Sequence, residues 1–134
     1  MSATSASELA TVPLFRTLSE DELGDVAELF DARTVGPNTR LIGEGTTGMV
    51  FFVLTAGNVA VTTPDGRTVS LGPGDYFGEV ALLTGGRRTA SVTTVSEARV
   101  LVLAGDDDFR RLTETYPELG AEIEETSRLR LAAS

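Results

Sequence analysis

The residues most capable of chemistry lie in one run, Tyr76-Phe77-Gly78-Glu79-Val80-Ala81-Leu82-Leu83-Thr84-Gly85-Gly86-Arg87-Arg88-Thr89-Ala90-Ser91-Val92. Its Glu-Val-Ala-Leu-Leu stretch favours a short helix set between strands. A helix N-terminus presents unpaired backbone N–H groups and a partial positive charge, so it welcomes an anion, and Gly78 lets a ligand come close to that backbone. Arg88, at the start of the following strand, carries a planar fork that can grip a phosphate through two oxygens. Thr89 adds a hydroxyl donor. Glu79 is an acceptor-only carboxylate, suited to sugar hydroxyls and not to the phosphate itself. The two ends of a sugar-phosphate ligand would thus be sorted by opposite preferences.

Each residue also has a plainer role open to it. Arg88 could be a surface arginine paired with a carboxylate, and Glu79 a solvated first-turn glutamate favoured by the helix dipole. Gly85 and Gly86 could simply serve turns. Phe51, Val53, Val59, Val61, Leu71 and Val92 are better assigned to a core than to ligand contacts. Arg128 and Arg130 could stack over a ligand's base as cations, although a solvated helix face is the more ordinary role for them.

Composition narrows the chemistry. The chain has 134 residues, 41% hydrophobic and 23% charged, with a net charge of -9 and neither cysteine nor histidine. That length and balance predict one domain over 1–134, able to bury its own core, with residues 1–10 expected to be flexible. Without Cys or His there are no disulfides, no thiolate or Ser-His-Asp catalysis, and none of the usual zinc and iron sites, so neither a catalytic residue nor a metal ligand is expected. The acidic surface repels polyanions, which argues against nucleic acid and acidic lipid as partners. A local phosphate anchor still prevails. A charge-assisted hydrogen bond contributes about 1.5–3 kcal/mol, while the net charge is screened beyond roughly 8 Å. Met1 to Ser7 do not read as a secretory signal and no run is apolar enough for a membrane span, so a cytoplasmic chain without membrane insertion is the expectation.

The elements that must position these residues follow from pattern. Ser19 and Glu22 fit a capping box, with Leu18 and Leu23 as a hydrophobic staple. Leu23, Val26, Leu29 and Phe30 then predict an amphipathic helix of about three turns ending near Asp31. From Val35 to Val102, short segments rich in Val, Phe, Leu and Thr are punctuated by glycine and proline, which predicts a sandwich or barrel. Asp65-Gly66 marks a tight hairpin. Asp106 to Asp108 can start a helix carrying Phe109 and Leu112, and Pro117 opens a last one carrying Leu119, Ile123, Arg128 and Arg130.

At Phe77 to Leu82 and Arg88 to Ala90 the sequence resembles the cyclic-nucleotide-binding domain family, found in catabolite activator proteins, regulatory subunits of cAMP-dependent kinase and cyclic-nucleotide-gated channels. The family's phosphate-binding cassette reads Phe-Gly-Glu, an aliphatic residue, Ala-Leu, a variable turn, then Arg, a small or hydroxyl residue, and Ala. Arg87 stands where the family commonly has proline, and spacing from Phe77 favours Arg88 as the phosphate ligand. Leu14-Phe15, Leu18-Ser19, Ile42 to Gly45, Phe51 to Gly57 and Leu71 to Asp75 carry the likeness along nearly the whole chain.

The resemblance implies a mainly β fold, an eight-stranded jelly-roll barrel (double-stranded β-helix). An N-terminal helix, a short cassette helix and C-terminal helices accompany it, with 117–131 as the candidate lid. It implies a non-enzymatic sensor module with no cofactor, whose ligand is cAMP in the first place and cGMP in the second. Phe77, Gly78, Glu79, Val80, Ala81, Arg88, Thr89 and Ala90 would bind that ligand, and an unidentified effector protein or fused domain would receive the signal. Too few residues follow the lid for a DNA-reading helix-turn-helix. A nucleotide-independent interaction or oligomerisation module on the same fold is the competing expectation, and a cupin-like enzyme lacks its histidines.

Overall fold

A computed structural model describes residues 6–42, 50–62, 66–78, 91–104 and 106–133. The chain opens with α1 (Ala6–Leu9) and a 3-10 turn (Pro13–Phe15), followed by α2 (Glu20–Ala27). The strands are β1 (Asp31–Val35), β2 (Arg40–Ile42), β3 (Val50–Ala56), β4 (Val59–Thr62), β5 (Thr68–Leu71), β6 (Tyr76–Phe77), β7 (Ser91–Thr94) and β8 (Ala98–Ala104). Two further helices follow, here α3 (Asp106–Thr115) and α4 (Pro117–Ala133).

All pairings between described strands are antiparallel. They build two four-stranded sheets, one ordered β1-β8-β3-β6 and the other β2-β7-β4-β5. Apart from β4 and β5, which share a sheet, successive strands alternate between the sheets in the jelly-roll manner, and the helices flank the first sheet. β4 and β5 form the hairpin expected around Asp65-Gly66, with Thr62 opposite Thr68. β3 and β4 flank Gly57-Asn58 but belong to different sheets, so that pair of residues turns a corner between layers. Gly57 has φ +82°, and a Cβ there would stand 2.3 Å from the Glu97 carbonyl oxygen. Only glycine fits that corner.

The period-2 alternation of side chains splits the core in two. From β3, Phe52 and Leu54 point between the sheets, and from β8 so do Ala98, Val100 and Val102. Phe51 and Val53 of β3, with Leu101 and Leu103 of β8, point the other way and meet Phe15, Val26, Phe30, Phe109, Leu112, Leu119 and Ile123 beneath the helices. The residues assigned to core divide accordingly. Phe51 and Val53 lie under the helices, Val59 and Val92 inside the barrel, and Val61 and Leu71 are partly buried against that interior.

The Ser19 hydroxyl accepts from the Glu22 N–H at 3.2 Å, and the Glu22 carboxylate accepts from the Ser19 N–H at 2.8 Å, which is the expected capping box. α2 is shorter than predicted, however. It ends at Ala27, and the following N–H groups of Leu29 and Phe30 close tight turns onto Val26 and Ala27. Those turns free Asp31 to begin β1, four residues before the strands were expected to start. Part of the stretch 1–10, expected to be flexible, is described. From Ala6 the chain is helical, with Leu9 fully buried. Glu8 of α1 is strapped to Arg99 of β8 by bonds of 2.6 and 3.0 Å, and the Thr55 hydroxyl donates to the same carboxylate at 3.0 Å.

Candidate functional site

Within the jelly roll, the sequence run from Tyr76 to Val92 departs from one sheet and returns in the other. Its upstream end is fixed by the 72–75 turn. The Gly72 N–H donates to the Asp75 carboxylate at 2.9 Å, and the backbones of Leu54, Gly74 and Asp75 are joined by two bonds of 2.8 Å. This holds β6 in register on β3, with Phe77 opposite Phe52 and Tyr76 opposite Val53. Phe77 enters the barrel interior, 3% exposed, and stacks on Phe52 with centroids 4.9 Å apart and planes 12° from parallel. Gly78 follows with φ +96°, a left-handed backbone that a residue with a side chain adopts only under strain. The glycine there answers first to the turn out of β6, a reason additional to close approach of a ligand.

The downstream end is Ser91–Thr94, hydrogen-bonded between β2 and β4, with Val92 buried in the interior. Phe77 and Val92 thus anchor the two ends of the cassette sequence inside one barrel. Glu79, Val80, Ala81, Arg88, Thr89 and Ala90 lie outside the described residues, as do Leu82, Leu83, Gly85 and Gly86. Arg128 is exposed on α4 and ion-paired with Glu124 one turn earlier. Arg130 belongs to the same helix, but its side chain lies outside the described residues.

The last helix carries Leu119 and Ile123 as expected, and both are buried there together with Ser127. Ser127 satisfies its hydroxyl by donating to the Ile123 carbonyl at 2.9 Å. A contact that the sequence did not announce joins this helix to the site's upstream strand. The Tyr76 hydroxyl donates to the Thr126 hydroxyl at 2.8 Å. A tyrosine beside a buried phenylalanine does carry a hint, since its ring seeks the core while its hydroxyl needs a partner; the partner itself, 50 residues on, has no local signature. At the junction of α3 and α4, burial raises the Tyr116 pKa above its ordinary value, reinforced by Glu22 and Asp25 of α2. Among the described residues no group of His, Cys, Asp or Glu could hold a metal ion, and no helix is long and apolar enough to cross a membrane.

The described residues thus form a jelly roll with helices packed on one sheet and a glycine-led stretch of sequence between β6 and β7. The Cyclic nucleotide-binding domain family matches residues 32–116, and the chain belongs to it. The family is one of regulatory binding domains. A cAMP-dependent protein kinase regulatory subunit of Yarrowia lipolytica is 38% identical over 106 residues, covering 78% of this chain and 28% of that protein. The cGMP-dependent protein kinase, isozyme 1, of Drosophila melanogaster is 36% identical over 118 residues, covering 83% of this chain and 15% of that protein. This chain therefore spans less than a third of the length of either relative. Among solved structures, the regulatory domain of Toxoplasma gondii PKA with cAMP superposes with a TM-score of 0.77 over 92% of this chain and 48% of that one. At 24% identity, that likeness speaks for the fold alone.

Proposed function

We propose that this chain is a non-catalytic sensor that binds a cyclic nucleotide, cAMP before cGMP. In this reading Arg88 holds the phosphate, Glu79 the ribose, and Thr89 with the backbone of Gly78 to Ala81 completes the cassette. The observation that carries it is the pair of anchors, Phe77 and Val92, which seat the ends of the motif sequence at the interior of a barrel whose family binds such ligands. Preference for cAMP draws support from the kinase regulatory subunit at 38% identity, and the cGMP-dependent kinase at 36% keeps cGMP as the second ligand.

Binding is the signal, with no covalent step. The occupied cassette, through Leu82 and Leu83, repositions α3 and α4, and the ligand must favour the new arrangement differentially to do so. Arg128 or Arg130 covers the base. For Arg128 that requires its ion pair with Glu124 to open, a small hindrance for an exposed pair. An effector protein or a domain attached to this one, in the cytoplasm, receives the movement.

Titration calorimetry with cAMP, cGMP and their noncyclic monophosphates tests the reading. Cyclic nucleotides should bind and noncyclic ones should bind weakly. Arg88→Ala should weaken binding by about 2–5 kcal/mol with the fold intact, because it strands a buried anion. Unaltered affinity in that variant would remove Arg88 from the site. Absence of heat with every nucleotide would favour an interaction module on the same fold.

A further inference from the structure

We propose that the hydrogen bond from Tyr76 to Thr126 is the coupling element between the nucleotide cassette and α4, with Tyr76 acting as a positioning residue. The inference rests on the sensor function proposed above and adds the route of the signal. β6 consists of two residues that face opposite ways. Phe77 packs inside the barrel on Phe52, whereas Tyr76 packs beneath the helices, its ring centroid 5.5 Å from that of Phe51. In sequence Gly78 and Glu79 follow at once, so the first cassette residues are peptide-bonded to this two-faced strand. A strand this short cannot shift its inner side chain without carrying the outer one along.

The outer side chain ends on α4. Thr126 lies between Ile123, buried in the core, and Arg128 on the exposed face, so its hydroxyl reports how far the helix is rotated and where it sits along its axis. Apolar packing of α4 through Leu119 and Ile123 is non-directional, whereas a 2.8 Å hydroxyl pair is made at one rotation and one height of the helix. A bond present in one helix position and absent in another biases the equilibrium between them by about fivefold, the worth of one ordinary neutral hydrogen bond.

The test uses the whole chain with cAMP as probe, comparing wild type with Tyr76→Phe, Thr126→Val, Thr126→Ser and the Phe/Val double variant. Calorimetry measures affinity, hydrogen exchange of 117–131 measures the helix response, and urea unfolding measures global stability. Tyr76→Phe and Thr126→Val should each shift cAMP affinity about three- to tenfold in the same direction and blunt the ligand-induced change in exchange. The double variant should shift no further than either single one, and Thr126→Ser should behave as wild type. The proposal is overturned if both single variants keep wild-type affinity and exchange response while only the urea midpoint moves, which would make the bond a structural fastening. Silence of the wild-type chain toward cAMP and cGMP alike would overturn the sensor function first and this coupling with it.

Discussion

The two faces of the β1-β8-β3-β6 sheet are built from different materials. Its outer face meets the helices through a run of aromatic contacts, Phe15 to Phe30 at 6.1 Å, Phe30 to Phe51 at 6.4 Å, and Phe51 to Tyr76 and Phe109 at 5.5 and 5.3 Å. Its inner face offers mostly small and β-branched side chains, Ala98, Val100 and Val102, with one aromatic pair, Phe52 on Phe77. Large rings bury most apolar area per residue, and area removed from water is what stabilises a fold. The outer face is therefore the mechanical foundation, while the inner face keeps its side chains short next to the strand that leads into the cassette. In the proposed reading, ligand recognition falls to the inner side, and Tyr76 is the link to it from the outer one.

Truncating a ring on each side breaks that comparison most directly. Phe51→Ala should destabilise the fold by about 3–5 kcal/mol in urea unfolding and change cAMP affinity of the folded fraction no more than Tyr76→Phe does, since it reaches the cassette only through its ring contact with Tyr76. Phe77→Ala should cost a similar amount and also reduce affinity; equal effects on affinity from the two variants would mean that the division is not real. The corner joining the sheets comes next. Gly57→Ala should lose about 3 kcal/mol, because the new methyl meets the Glu97 carbonyl and the backbone stays at positive φ.

Smaller effects sharpen the outer side. The Arg99 guanidinium holds the Glu8 carboxyl below its ordinary value near 4.5, against the opposing push of burial. A depressed carboxylate contributes stability that is fully present above its unfolded pKa and is lost as pH falls through the folded one. Glu8→Gln should therefore be less stable than wild type by about 1 kcal/mol at pH 7, since the arginine remains partly solvated, and the gap should close in acid below the ordinary carboxylate range. A gap that persists at low pH would assign the loss to packing of α1. Of similar size is Ser19→Ala, which removes one half of the capping box and should cost roughly 1 kcal/mol by thermal melting, with no change in affinity.

The legible parts of this molecule were those set by neighbours in sequence. Ser19 and Glu22 announced α2 because a capping box closes over three residues, Asp65-Gly66 announced a hairpin, and Pro117 announced the last helix. The roles of the cassette residues came from family likeness as expectations, and Glu79 to Ala90 lie outside the described residues. What escaped depends on partners far along the chain. Nothing in Ala6 to Leu9 foretells that Glu8 will meet Arg99, so the start was expected to be loose. The helical periodicity of Leu29 and Phe30 was genuine but served the core from a turn, because tertiary packing outweighs a local pattern at a helix end. Whether a glycine-led pair such as Gly57-Asn58 makes a hairpin or a change of sheet is decided by the other strands.

The strand order also governs how the domain comes into being. Asp31 pairs with Val102, and Arg40 with Thr93, so the barrel closes through nested loops, the outer one taking in just over half of the sequence. Closing such loops spends chain entropy before any contact compensates for it, which makes assembly slow and concerted, in the milliseconds-to-seconds range for folds of this kind. Residues 79–90 lie inside both loops. A chain still being synthesised, or one partly unravelled, accordingly lacks the paired strands on either side of that stretch of sequence until β8 is laid down.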